Sequence, residues 1–123
     1  MNKRFKNWKP PEFDTDGWAY PNRSSVIAGE NKYGWRCQYH KNLELGKNVD
    51  IGCFTYMNAQ YGIRIGDNVQ IGSHCSIYSD NTENNTKGII RIGEGTLIGS
   101  HCLILPGVTI EPFSKIRAYS IIK

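Results

Sequence analysis

The sequence shows no helical period anywhere between residues 27 and 123. Apolar side chains do not recur at the three- and four-residue spacing of an amphipathic helix, which excludes a helical bundle and an alternating α/β fold. Long apolar runs are missing too. The basic first ten residues lead into no stretch of signal-peptide length, and nothing approaches a helical membrane span. A soluble, cytoplasmic protein with no membrane partner is expected. Charge of one sign is scarce: 15 Lys+Arg against 11 Asp+Glu leave a net charge of +4. That balance suits anionic small molecules and falls short of a nucleic-acid surface, and no aromatic-plus-basic motif accompanies it. The chain has four cysteines, none at CxxC spacing, and only three histidines. Zinc ribbons and dithiol redox sites are excluded on that count, and no metal is expected.

What is there is a six-residue beat. It runs Leu45-Gly46-Lys47-Asn48-Val49-Asp50, then Ile51-Gly52-Cys53-Phe54-Thr55-Tyr56. It resumes as Ile65-Gly66-Asp67-Asn68-Val69-Gln70 and Ile71-Gly72-Ser73-His74-Cys75-Ser76, and again from Ile92 through Ile98, Ile104, Ile110 and Ile116. Hexapeptide periodicity predicts a parallel β-helix in which three units make one coil and equivalent residues stack at about 4.8 Å. An aliphatic first position and a small or β-branched fifth suit a narrow interior. Gly and Asn tolerate the positive φ of sharp corners. The anchors fall in three columns: Leu45, Ile65, Ile92, Ile110; Tyr33, Ile51, Ile71, Ile98, Ile116; and Tyr39, Met57, Ile77, Ile104, Ile122. The fold class expected over residues 27–123 is one all-β solenoid of about five coils.

Two insertions interrupt the beat, two residues between Met57 and Ile65 and nine between Ile77 and Ile92. The second is polar, Asp80-Asn81-Thr82-Glu83-Asn84-Asn85-Thr86-Lys87-Gly88, so a protruding loop is expected at about 80–91. Residues 1–26 lack the beat. They combine Lys3, Arg4, Lys6 and Lys9 with Pro10-Pro11 and the aromatics Phe5, Trp8, Phe13, Trp18 and Tyr20. An irregular N-terminal cap over the open end of the solenoid, or a partner-binding arm, fits this composition. Cys37, Cys75 and Cys102 count to the fifth, inward position in line with Thr55 and Ser120, a column of small packing residues. Cys53 counts to a corner and is the exposed thiol. Corner aromatics Phe54 and Tyr119, with Trp35 nearby, leave a flank too apolar for water.

Chemistry concentrates at two histidines. Ile71-Gly72-Ser73-His74-Cys75 and Ile98-Gly99-Ser100-His101-Cys102 share a five-residue pattern, so His74 and His101 take the same corner one coil apart, between Phe54 and Tyr119. Two imidazoles so placed disfavour double protonation, which leaves one able to accept a proton. The competing reading is an aromatic corner stack serving packing or a subunit interface. His40 falls in a more degenerate unit.

The Ile-Gly units, the polar loop after Ile77-Tyr78-Ser79, and Ile98-Gly99-Ser100-His101 leading into Leu105-Pro106-Gly107-Val108-Thr109-Ile110 resemble the hexapeptide-repeat acyltransferases, best the branch that acetylates sugars. The resemblance covers about residues 27–123. It implies a left-handed β-helix, a homotrimer, acetyl-CoA as donor, and active sites between subunits where a histidine often deprotonates the sugar hydroxyl or amine. Such sugar O-acetyltransferases usually carry that histidine in the loop, which here reads Ser79-Asp80-Asn81-Thr82. Members also commonly continue past the last coil in a proline-containing tail, and this sequence ends at Ile121-Ile122-Lys123. An amine acceptor needs no strong base, because it sheds its proton after attack. The resemblance therefore implies an acetyl-CoA:amino-sugar N-acetyltransferase ahead of an O-acetyltransferase. His74 is its base, His101 supports it, Asp80 relays the proton, and Tyr78 and Asn81 contact the acceptor. Two alternatives stand beside it: a non-catalytic solenoid scaffold, and a γ-type carbonic anhydrase. The second requires a close His-x4-His pair that this chain lacks.

Overall fold

A computed structural model of the chain describes residues 7–12 and 31–123. Strands of two or three residues wind into a three-faced parallel β-solenoid of about four turns. The first face stacks five strands: Arg36–Gln38, Tyr56–Asn58, Ser76–Tyr78, Leu103–Ile104 and Ile121–Ile122. The second stacks Leu43–Leu45, Ile63–Ile65, Ile90–Ile92 and Thr109–Ile110, and the third Asp50–Ile51, Gln70–Ile71, Leu97–Ile98 and Lys115–Ile116. The described residues contain no α-helix, only a single 3-10 turn at His40–Asn42. No helix among them is long and apolar enough to cross a membrane.

The repeat sets the register because each coil must bury its anchor over the anchor below. Leu45, Ile65, Ile92 and Ile110 pair in sequence up one face. Ile51, Ile71, Ile98 and Ile116 do so on another, and Met57, Ile77, Ile104 and Ile122 on the remaining one. Met57, Ile63, Ile77, Ile90 and Ile104 are fully buried. Each such side chain contributes on the order of 1.5–3 kcal/mol.

The first coil departs from the expected columns. Cys37, not Tyr39, lies opposite Met57, and Tyr39 sits at φ 59 leading into the 3-10 turn. The interval from Cys37 to Leu45 matches the one from Met57 to Ile65, so both coils carry the same two-residue insertion and a count in sixes goes wrong by two. Cys37 is therefore an anchor and not a fifth-position residue. Tyr33 is 37% exposed and outside the wall, where its hydroxyl donates to the Lys9 carbonyl. Trp35 is 3% exposed, and its neighbour Arg36 donates to the Thr55 carbonyl, so the indole fills the inward column below Thr55. Trp35 belongs to the core and not to an exposed flank.

The second-position glycines serve a purpose the sequence reading missed. A Cβ on Gly52 would lie 2.4 Å from the Ser73 nitrogen, and one on Gly99 2.4 Å from the Ala118 nitrogen. Glycine is there because the coil above leaves no room. The positive φ falls instead on fourth-position residues such as Asn48, Phe54, Asn68, His74, His101 and Tyr119.

At the N-terminal end the Trp8 indole N–H donates to the Val49 carbonyl at 2.8 Å, which lays residues 7–12 against the first coil. The remainder of the expected cap at 1–26 lies outside the described residues. The polar insertion forms a hairpin in which Asp80 pairs with Lys87 and Asn81 with Thr86. It is shorter than 80–91: buried Ile90 is already back in the wall, opposite Ile63.

Cys37, Cys75 and Cys102 are buried, and Cys53 is exposed. Burial pushes the Cys75 thiol up, and its Sγ donates to the Gly99 carbonyl at 3.2 Å. A thiol reagent should therefore titrate one group quickly in the native protein and all four after denaturation. Two or more fast groups in native protein would contradict the closed wall.

Candidate active site

One corner of the prism carries Phe54, His74, His101 and Tyr119, on four consecutive coils. All four are exposed and in the left-handed region, with φ of 66, 58, 59 and 64. The corner between the second and third faces places Asn48, Asn68, Gly95 and Phe113 in that conformation. A left-handed residue with a Cβ costs roughly 1–2 kcal/mol, least for Asn and His among those present. Aromatic rings kept there and left in water point to a use for the row.

The rings form a continuous ladder. His74 and His101 are 4.8 Å apart and nearly coplanar in orientation, 3° between planes. Phe54 lies 5.1 Å from His74, tilted by 35°, and Tyr119 lies 4.9 Å from His101 at 16°. The Ser73 hydroxyl is 3.1 Å from His74 Nδ1. The structure thus brings His74 and His101 together.

Asp80 and Asn81 do not join them within one chain. The strand Ser76–Tyr78 crosses the first face between His74 and Asp80. Six residues of extended chain span up to about 20 Å, so the two lie at opposite edges of that face. Asp80 and Asn81 sit at the root of the hairpin, half-buried, next to Tyr78.

The outer surface of the first face holds further polar residues that sequence reasoning passed over. The Tyr56 hydroxyl donates to Gln38 Oε1, and the Tyr56 and Tyr78 rings are 5.7 Å apart. Asn58 stands in register between Gln38 and Tyr78. Burial first, then the neighbouring Tyr78, pushes the Tyr56 hydroxyl up to about 12, so it remains a neutral donor. Arg36 and Ser76 complete this surface on the lower coils. On the upper coils the outward residues become Leu103, Leu105 and Ile121, the last 62% exposed. Alternation about the anchors Met57 and Ile77 was the unused signal that could have placed Tyr56, Asn58, Ser76 and Tyr78 outward. The displaced first-coil register hid Gln38. Among the described residues, no three His, Cys, Asp or Glu side chains converge as a metal site would.

No protein-family profile matches the chain, and no curated protein matches it significantly. Among solved structures it is similar to a hexapeptide-repeat-containing acetyltransferase from Vibrio cholerae O1 biovar eltor, crystallised with acetyl-coenzyme A. The TM-score is 0.67 at 26% identity, over 72% of this chain and 54% of that one. The fold is a hexapeptide-repeat β-helix. This chain spans about half the length of that acetyltransferase.

Proposed function

We propose that this protein is an acetyl-CoA-dependent acyltransferase. On this reading it acetylates a sugar, at an amino group of a nucleotide-linked amino sugar or at a hydroxyl. The observation that carries the proposal is the likeness to an acetyltransferase holding acetyl-CoA, on a chain that repeats an exposed histidine corner. Support for a sugar comes from the first face. Tyr56 and Tyr78 offer ring surface to a sugar's C–H face, and half-buried Asn58 and Asn81 offer amides to its hydroxyls, while buried Gln38 holds the Tyr56 hydroxyl.

In the proposed reaction the acceptor nitrogen attacks the thioester carbonyl carbon, forming C–N, and the C–S bond breaks to release the CoA thiolate. The proton lost by nitrogen goes to a base, and the thiolate finally takes one up. A hydroxyl acceptor must lose its proton during attack and leans on His74 Nε2. An amine sheds it afterwards, and Asp80 can receive or orient it. Because His74 and Asp80 lie at opposite edges of a face, the proposal has His74 of one subunit meeting Asp80, Asn81 and Tyr78 of the next. His101 holds His74 in the stack. The left-handed winding that the resemblance implies, and the cytoplasmic setting expected from the sequence, belong to the same proposal.

Assembly is its first consequence. Phe54 at 70% exposure, Tyr119 at 75% and Ile121 form an apolar strip along one edge and the upper first face. Such a strip is expected to be covered. Sedimentation equilibrium at micromolar concentration should give three times the 13.9 kDa chain mass. A monomer would leave His74 without the hairpin residues and remove the proposed site.

The direct test is calorimetry with acetyl-CoA, followed by mass spectrometry of amino sugars and their nucleotide-linked forms after incubation. Binding and a mass gain of one acetyl group are expected. Absence of binding would overturn the proposal and favour a scaffold role.

A further inference from the structure

Ser79 is fully buried where the chain leaves the wall for the hairpin. Every polar group it owns is engaged. Its N–H donates to the Asn58 carbonyl at 2.9 Å, and its hydroxyl donates to the same carbonyl at 2.7 Å. That hydroxyl also accepts the Tyr61 N–H at 3.0 Å, and the Ser79 carbonyl accepts the Gly88 N–H at 2.9 Å. One residue therefore ties together the turn at 59–62, the departing strand and the returning end of the hairpin. A second link closes the same loop: the Lys87 ammonium lies 5.3 Å over the Tyr61 ring.

The coil below supplies an internal control. Ala59 occupies the slot equivalent to Ser79, is equally buried, and donates its N–H to the Gln38 carbonyl. The slot thus accepts a methyl group without loss of the coil. Of the two fully buried residues in this slot, only Ser79, in the coil that extrudes the hairpin, carries a hydroxyl. Packing alone does not call for it.

We propose that Ser79 is a positioning residue for acyl transfer, and that its hydroxyl fixes the hairpin root so that Asp80 and Asn81 meet the acceptor in one orientation. The proposal rests on the acyltransferase reading for its function and on local structure for its mechanism. A side chain next in sequence to the hub inherits its placement from the hub's hydrogen bonds, because no other described segment pairs with Asp80 than Lys87. Loss of the hydroxyl frees the Tyr61 N–H in a partly buried turn and releases the turn on which Lys87 rests.

The test is Ser79→Ala in the full chain, read by amide hydrogen exchange and by acetyl transfer. Exchange at Tyr61, Lys87 and Gly88 should quicken by roughly 10-fold, the scale of one buried hydrogen bond. Wall amides such as Ile77 and Ile104 should not change. Acetyl transfer should lose kcat more than KM for acetyl-CoA, with a pH profile displaced in the same sense as that of Asp80→Asn. Lys87→Gln leaves the buried slot alone and should loosen the same amides to a lesser degree, which keeps the test open if Ser79→Ala folds poorly. Unchanged exchange at the hairpin root in both variants would overturn the proposal, and so would a loosened hairpin with wild-type kcat and pH profile. Wild-type protein that transfers no acetyl group would sink the acyltransferase reading, and with it the positioning role, while the exchange data alone would report whether Ser79 orders the hairpin.

Discussion

Replacing His74 is expected to lower acetyl transfer by roughly 10²–10⁴, the usual cost of losing a general base. The fold should survive. His74 is exposed at a corner, its ring stacks between Phe54 and His101 beside the Ser73 hydroxyl, and no buried anchor is removed. Its φ of 58 makes the choice of substitute matter. Alanine there adds left-handed strain, whereas asparagine tolerates it and already occupies the neighbouring corner at Asn48 and Asn68. His74→Asn and His74→Ala should therefore lose activity alike, with His74→Asn melting nearer to the wild type. His101→Ala should lose less, since its imidazole supports His74 from the coil above. Asp80→Asn should reduce the rate modestly and change its pH dependence. Near-normal turnover of an amino sugar by His74→Asn would remove the base from the mechanism. The acceptor's own amine would then carry the chemistry, and the ladder of rings would revert to a packing device.

The anchors were the most legible part of this molecule, because a six-residue period and a buried column are one statement made twice. Ile71, Ile98 and Ile116 had no other way to stack. The histidine ladder followed from the same arithmetic, as two identical pentapeptides in equivalent units had to coincide at one corner. The first coil was less legible for a definite reason. Its two-residue insertion was seen in the interval from Met57 to Ile65 but not in the one from Cys37 to Leu45, where the residues are degenerate. Tyr39 was counted into the wall and Trp35 out of it. The glycines were found and misread: their positions obey the period, yet their cause is contact with the next coil, which no single unit contains. The proposed meeting of His74 with Asp80 was read from the family resemblance and not from this chain's residues, since it calls for a second subunit that one sequence does not display.

Gly66→Ala is expected to destabilise the solenoid by about 3 kcal/mol or more, the upper end for overfilling a packed site. The added methyl carbon would lie 2.7 Å from the Glu94 nitrogen, 2.9 Å from its Cα and 3.2 Å from the Gly93 carbonyl carbon. All three are backbone atoms, so no side chain can swing away to relieve the overlap. The coils must separate, and the Gly66 N–H bond to the Ile92 carbonyl, 2.9 Å long, stretches with them. Stability in a solenoid resides in contacts between neighbouring coils, so a wedge in mid-stack weakens the union of the two halves. For a domain of about this size, 3 kcal/mol corresponds to a fall in Tm of roughly 12 °C. Gly107→Ala is the matched control. Its φ of 82 imposes backbone strain, but a Cβ there would meet nothing within 4 Å. That variant should lose only about 1 kcal/mol, the cost of a left-handed alanine. Thermal melts of the two variants beside the wild type separate steric overlap from backbone strain. If Gly66→Ala melted at or above Gly107→Ala, close contact between these coils would not be what selects glycine at the second position.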